Sequence, residues 1–396
     1  MNQIERIKAG RAVQHALAAL EAELKATIEQ VIAIQQIPAP TFAESRRADH
    51  IQAQFGRLGL SDVSQDDSFN VYGRLPGEMA ARPVVVTAHM DTVFPLGTDL
   101  SLKPEAGGAD GRGRLAGPGL ADNSAGVGGL LASAGALRRF HLRTVQDVWF
   151  VANTREEGLG NLSGMRAVVE RFGREATYLV VEGGSFGHIY HQAVGVRRFR
   201  LEVSTAGGHS WGDFGAPSAI HVLCRLVADV GRLTLPAEPK TTYNAGLIGG
   251  GTGVNTIAAS AECLLDLRSQ EMDALEALVG AVEGLVAAAA AEPGVQVALT
   301  TVGDRPAGTL PRQAAPVALA AEALEAVGCQ NIRFMAGSTD ANIPISQGIP
   351  SVCVGLAESG NTHRLDEYID FSCFPQGLQQ LLLLILACAG YKDDRE

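Results

Sequence analysis

Apolar residues recur at steps of three or four from Ile4 through Ile7, Val13, Leu17, Leu20, Leu24 and Ile28 to Ile32, which predicts a long amphipathic helix over residues 2–34. Pro38 and Pro40 end it, a second helical stretch over 43–58 stops at Gly59, and the β-branched run 84–87 reads as a buried strand. Helical and strand periods then alternate: helix 123–139, strand 147–152, helix 162–171, strand 177–181. That alternation predicts an α/β layer structure around a mostly parallel sheet. From Val196 the order becomes strand 197–204, helix 216–231, strands 240–248 and 258–267, helix 271–290 and strand 295–302. This is the split βαβ plan of a small ferredoxin-like α+β sandwich. After Asp304-Arg305-Pro306 the α/β alternation resumes with helix 314–327, strand 351–355 and helix 375–389. The expected organisation is a larger α/β domain built from 1–195 and 307–396, with a smaller domain, 196–306, inserted into it.

The 396 residues suffice for two or three domains with a sizeable core. A formal net charge of −11, without a continuous Lys/Arg stripe, argues against a nucleic-acid partner. The first twenty residues carry Glu5, Arg6, Lys8 and Arg11 and lack the apolar centre of a secretory signal. The longest apolar run, 381–390, is half of the ~20 residues a membrane helix needs. A soluble, cytoplasmic protein with no membrane partner is expected. Its six cysteines include no C-x-x-C pair and sit mostly in apolar patterns, so reduced thiols are expected rather than bridges or a zinc cluster.

Open α/β sheets bind ligands outside the carboxyl ends of their strands, and polar residues follow the predicted strands in a consistent set. His89 and Asp91 come after strand 84–87, Asp122 after the glycine-rich loop 117–119, Glu156 and Glu157 after strand 147–152, and Glu182 after strand 177–181. His363 adds a second imidazole far downstream. Carboxylates gathered at one sheet edge repel one another, and a divalent cation removes that penalty. Mixed nitrogen and oxygen donors suit zinc, with cobalt or manganese as alternatives, and the number of donors favours two metals bridged by one carboxylate. Asp91, two residues beyond His89, could take the other ring N–H and fix its tautomer. Glu156, beside Glu157, is the natural general base.

Six motifs then resemble, in order and spacing, the M20 family of co-catalytic zinc peptidases over residues 35–390. They are His89-Met90-Asp91-Thr92-Val93-Phe94-Pro95, the stretch Gly117 to Asn123, Glu156-Glu157-Gly158, Glu182-Gly183-Gly184, Gly207-Gly208-His209-Ser210, and His363. The resemblance implies an α/β zinc-peptidase domain interrupted by a lid domain that also forms a homodimer. It implies that Asp122 bridges two zinc ions, His89 and Glu182 complete one site, and Glu157 and His363 complete the other. Asp91 would orient His89, Glu156 would act as base, and the bond after Asp122 would be cis. In the lid, His209 matches a histidine that stabilises the oxyanion. Arg268 and Asn255 match groups that hold the substrate's terminal carboxylate and carbonyl, although Arg268 on a strand end suits a surface ion pair equally well. Ser338, Asp340 and Asn342 lie in a stretch similar to a loop that lines the site.

The expected activity is therefore hydrolysis of a peptide bond in a small peptide with a free C-terminal carboxylate, in the manner of a di- or tripeptidase. An N-acyl-amino-acid amidohydrolase or a glutamate-type carboxypeptidase would use the same metal set. A non-catalytic dimeric binding protein on the same fold would have lost the base or a ligand.

Overall fold

The computed structural model describes residues 1–104 and 113–392. Two compact units divide the chain: Met1–Gln192 with Thr309–Glu396, and Ala193–Gly308 between them.

The first unit is built on a nine-stranded sheet. Its four central strands, Gln146–Asn153, Met79–His89, Thr177–Phe186 and Ser351–Gly355, run parallel in that spatial order. Antiparallel strands flank them, Val71–Leu75 and Ser61–Gln65 on one side and His188–Ala193 on the other. The central strands are apolar on both faces; Ser351–Gly355 is buried at every position, as expected of strands covered on both sides. Helices Ala125–Arg139 and Phe374–Ala389 pack on this sheet. Residues Leu381 to Leu386 are fully buried, so the long apolar run is a helix enclosed by protein. Among the described residues no helix is long and apolar enough to cross a membrane.

The N-terminal amphipathic segment differs from the single helix expected. It is three helices, Gln3–Lys8, Arg11–Ala22 and Leu24–Gln35. Gly10 is extended (ψ 131°), and Glu23 leaves the helical region (φ −98°, ψ 15°). The apolar spacing continues through both breaks because every piece packs on the same core. The edge strand Ser61–Gln65 escaped sequence reading for a related reason: it is polar, and no position in it is fully buried.

The second unit is a four-stranded antiparallel sheet in the order Thr241–Gly250, Ser260–Ser269, Gly195–Ser204, Gln296–Arg305. Alternate side chains of Ser260–Ser269 point into the core, where Leu201, Leu265 and Leu267 meet Leu223 of helix Ala219–Val230 and Leu275 of helix Met272–Ala290. This is the ferredoxin-like order. All six cysteines are free; Cys263 and Cys353 are buried and Cys224 is exposed.

Candidate metal centre

His89 ends a strand and Asp122, Glu157 and His363 lie in loops, whereas Glu182, expected just after strand 177–181, lies within Thr177–Phe186 because that strand runs on past it. His89 is the last residue of Met79–His89 and is 1% exposed. Its Nε2 lies 3.1 Å from Asp122 Oδ1 and 3.7 Å from Glu182 Oε2. The other Asp122 oxygen, Oδ2, lies 3.1 Å from His363 Nε2, which is 3.0 Å from Glu157 Oε1. Asp122 thus faces two donor sets, His89 with Glu182 and Glu157 with His363. Donor atoms around a tetrahedral zinc with bonds of ~2.0–2.1 Å stand about 3.3 Å apart, so both sets have the spacing of a metal's ligand shell. Donor chemistry and spacing together fit two divalent cations sharing one carboxylate.

Asp122 is presented by a loop with unusual backbone. Gly119 is left-handed (φ 69°), Asp122 and Asn123 depart from helical angles, and the bond between them is cis. Asn123 is fully buried and ties three segments together. Its Nδ2 donates to Val181 O at 2.9 Å, and its Oδ1 accepts from Gly126 N–H at 3.1 Å and Gly183 N–H at 2.7 Å. Gly183 has to be glycine, because a Cβ there would stand 2.2 Å from Ala121 O.

Asp91 is buried and organises the floor of the site. Its Oδ1 accepts the Glu156 N–H at 3.0 Å, and its Oδ2 accepts the Glu157 N–H at 3.0 Å and the Thr41 hydroxyl at 2.8 Å. Its Oδ1 also lies 3.6 Å from His89 Nδ1, whose nearer contact is the Asp91 backbone oxygen at 3.2 Å. Glu156 is 6% exposed, with a carboxylate oxygen within 4.8 Å of donor atoms of His89 and Glu157.

The closeness of these groups shifts their titration. Burial pushes the Glu157 carboxyl up to about 8, with the Asp122 charge adding to it, and pushes Glu182 up to about 6. Hydrogen bonds to the Asp122 and Glu157 carboxylates raise His363 to about 10. Burial opposes the His89 imidazolium, but Asp122, Asp91 and Glu182 outweigh it and raise His89 well above its ordinary value. Burial also works against the Asp122 anion, yet the two histidines hold Asp122 well below the usual carboxylate range. Each of these shifts follows from carboxylates and imidazoles buried close together, the setting in which a divalent cation offsets like-charge repulsion.

Glu367 and Arg47 were not visible in the sequence, whereas Asp340, Asn342 and Ser338 were expected in a loop that lines the site. Glu367 is fully buried, its Oε1 accepting the Ala121 and Asp122 N–H groups at 2.9 and 3.1 Å. Burial and the Asp122 charge raise it to about 7. Its place four residues after His363 was the only local hint. Arg47, 1% exposed, donates to the Met90, Ile37 and Gln35 carbonyls at 2.6–3.3 Å and so fixes the backbone just before Asp91. Asp340 is buried and accepts from Asn153 Nδ2 at 2.6 Å. Burial, reinforced by the Glu156 charge, pushes it well above the ordinary range. Asn342 is buried beside it, its Oδ1 accepting the Thr339 N–H at 3.0 Å, and Ser338 is partly exposed in the same loop.

His209, Asn255 and Arg268 belong to the second unit. Within it, Gly208–His209 pairs with Thr256–Ile257, and the Ser210 N–H donates to Asn255 O at 3.0 Å, so His209 and Asn255 are neighbours. His209 is exposed, and its Nδ1 accepts the Trp211 and Gly212 N–H groups at 3.2 and 3.1 Å. That arrangement assigns the ring proton to Nε2. Arg268 is held by Asp266, Nε to Oδ1 at 2.6 Å and Nη2 to Oδ2 at 3.3 Å.

A parallel sheet whose carboxyl edge gathers histidines and carboxylates around one shared aspartate is the architecture of a hydrolase. The chain belongs to peptidase family M20/M25/M40, whose sequence profile matches residues 85–387, and it is an enzyme of the peptidase and amidohydrolase class. It is 24% identical over 344 residues to the uncharacterised protein YqjE of Bacillus subtilis, covering 83% of this chain and 89% of that protein. Its fold is similar to that of a tripeptidase from Staphylococcus aureus, 22% identical with a TM-score of 0.76 over 92% of this chain and 98% of that one. It is likewise similar to the YxeP protein of Bacillus subtilis, a dinuclear metal-binding peptidase of the M20 family, 16% identical with a TM-score of 0.67 over 93% and 99% of the two chains.

Proposed function

We propose that this enzyme hydrolyses a peptide bond in small peptides bearing a free C-terminal carboxylate, as a di- or tripeptidase with two zinc ions. The observation that carries the reading is the convergence of two donor sets on the two oxygens of Asp122. His89 and Glu182 would hold one ion, Glu157 and His363 the other, and Asp122 both. When bound, the ions supply Lewis-acid polarisation of the scissile carbonyl and a water of lowered pKa.

The remaining chemistry falls to the chain's own groups. Glu156, fixed through its N–H on Asp91, accepts a proton from the attacking water and returns it to the leaving amine. Asp91 locks the Thr41 and Glu156–Glu157 segments to the strand end that carries His89. His209, with its proton on Nε2, is suited to donate to the developing oxyanion, from this chain or from the second copy of a homodimer. The resemblance to the family and the fold likeness to the S. aureus tripeptidase favour a peptide substrate.

The test is turnover by zinc-reconstituted protein of a free tripeptide, its C-terminal amide and an N-acetyl amino acid. Cleavage of the free tripeptide alone is the expected result. Cleavage of the acetylated compound alone would overturn the peptidase reading in favour of an amidohydrolase.

A further inference from the structure

Arg155 in the first unit differs from Arg47, whose guanidinium is taken up by backbone carbonyls: among the described residues it has neither a carboxylate nor a partner for its Nε. Arg155 immediately precedes Glu156, and its backbone is left-handed (φ 59°). Its Nε is buried with no hydrogen-bond partner, and its Nη1 makes a single long bond, 3.4 Å, to Ser68 Oγ. Among the described residues no acidic group lies within ion-pair distance of it. Glu44 feels its charge without pairing with it, because Glu44 Oε1 is engaged with the Phe42 N–H at 2.9 Å.

The Arg155 guanidinium lies over the Phe42 ring, 5.6 Å from its centroid. Phe42 is also left-handed (φ 74°), and it is 59% exposed despite its size. Left-handed backbone is unfavourable for residues with a Cβ, and where it persists it gathers at ligand clamps. The placement of the pair follows from Asp91. That carboxylate binds Thr41, the residue before Phe42, and Glu156, the residue after Arg155. Phe42 and Arg155 therefore flank the two segments that Asp91 pins beside His89. Arg268 contrasts with them: its fork is already filled by Asp266.

We propose that Arg155, stacked on Phe42, is a binding site for a carboxylate of the substrate, with the Phe42 ring taking the apolar group beside it. A guanidinium fork matches a carboxylate in shape and charge. The proposal rests on the peptidase reading and deepens it. The carboxylate could be the peptide's C-terminus or an acidic side chain, and the two are separable.

Zinc-loaded wild-type protein, Arg155→Gln and Arg155→Lys are compared on two substrate pairs. A tripeptide against its C-terminal amide reports the terminal carboxylate; an amidated tripeptide with Asp against the same peptide with Asn reports a side chain. The expected result is that Arg155→Gln raises KM about tenfold or more for the acidic member of one pair, with a smaller change in kcat. The wild-type preference then collapses, and Arg155→Lys recovers part of it. The pair that responds names the source of the carboxylate. If Arg155→Gln alters neither ratio, the proposal is wrong. If wild-type protein cleaves none of these peptides, the peptidase reading fails instead. Calorimetric binding of the same acid and amide to wild-type and Arg155→Gln protein then decides the role of Arg155 without turnover: loss of the acid's advantage supports it, and an unchanged advantage overturns it.

Discussion

At the scale of single residues, the proposed roles divide between groups that would hold metal and Glu156, which would move a proton. Glu156 and Glu157 are adjacent in sequence and both donate their N–H to Asp91, yet only Glu157 pairs with His363. Glu156→Gln should keep the fold and bind metal at the wild-type stoichiometry while losing about 10²–10⁴-fold in kcat; elemental analysis beside steady-state kinetics checks both halves. The titration of the metal-free site gives a second expectation. His363, held at about 10 by Asp122 and Glu157, is protonated throughout pH 7–8, and a cation binds only the neutral ring. Metal binding must therefore release protons, and apparent affinity should fall about tenfold per pH unit for each proton displaced as the pH is lowered. Calorimetry in buffers of different ionisation enthalpy measures this directly, and a binding heat independent of buffer would contradict it.

At the scale of elements, the donors depend on loops locked to strand ends. Asn123 holds Val181, Gly183 and Gly126 around the Asp122 turn. Asn123→Ala should destabilise the metal-free protein by about 1–3 kcal/mol for each buried backbone group left without a partner, as read by urea unfolding. Gly183 and Gly184 follow Glu182 but differ in what surrounds them. A Cβ on Gly183 meets the Ala121 carbonyl at 2.2 Å, whereas one on Gly184 meets the Ser359 Oγ at 2.1 Å. Backbone cannot step aside as a side-chain hydroxyl can, so Gly183→Ala should push the Asp122 loop away from Glu182 and lower bound metal below two ions per chain. Gly184→Ala should retain both, and metal analysis of the two variants distinguishes them.

At the scale of the molecule, the second unit leaves strand Thr241–Gly250 at the edge of its sheet, paired among the described residues with Ser260–Ser269 alone. Leu247 and Ile248 on it are 64% and 61% exposed, and an unpaired edge carrying apolar side chains favours pairing with another chain. If the homodimer forms there, Leu247→Glu with Ile248→Glu should give a monomer in small-angle scattering while wild-type protein scatters as a dimer. The alternation of the central strands and helices and the seven candidate polar residues were legible in the sequence, because apolar period and strand termination are local properties of neighbouring residues. Glu367, Arg47 and the Thr41–Asp91 link were not, since each acts on a segment distant in the chain and carries no local pattern. The sequence by itself determined which candidate donors the chain carries and the order in which they follow one another along it. The tertiary structure sets the distances at which Asp122 turns one oxygen to His89 and the other to His363, 241 residues away, as the family resemblance implied, and it alone decided that Arg268 pairs with Asp266 while Arg155 lies over Phe42. Pairings across such separations are fixed by how sheet, loops and buried carboxylates pack, which no run of neighbouring residues encodes.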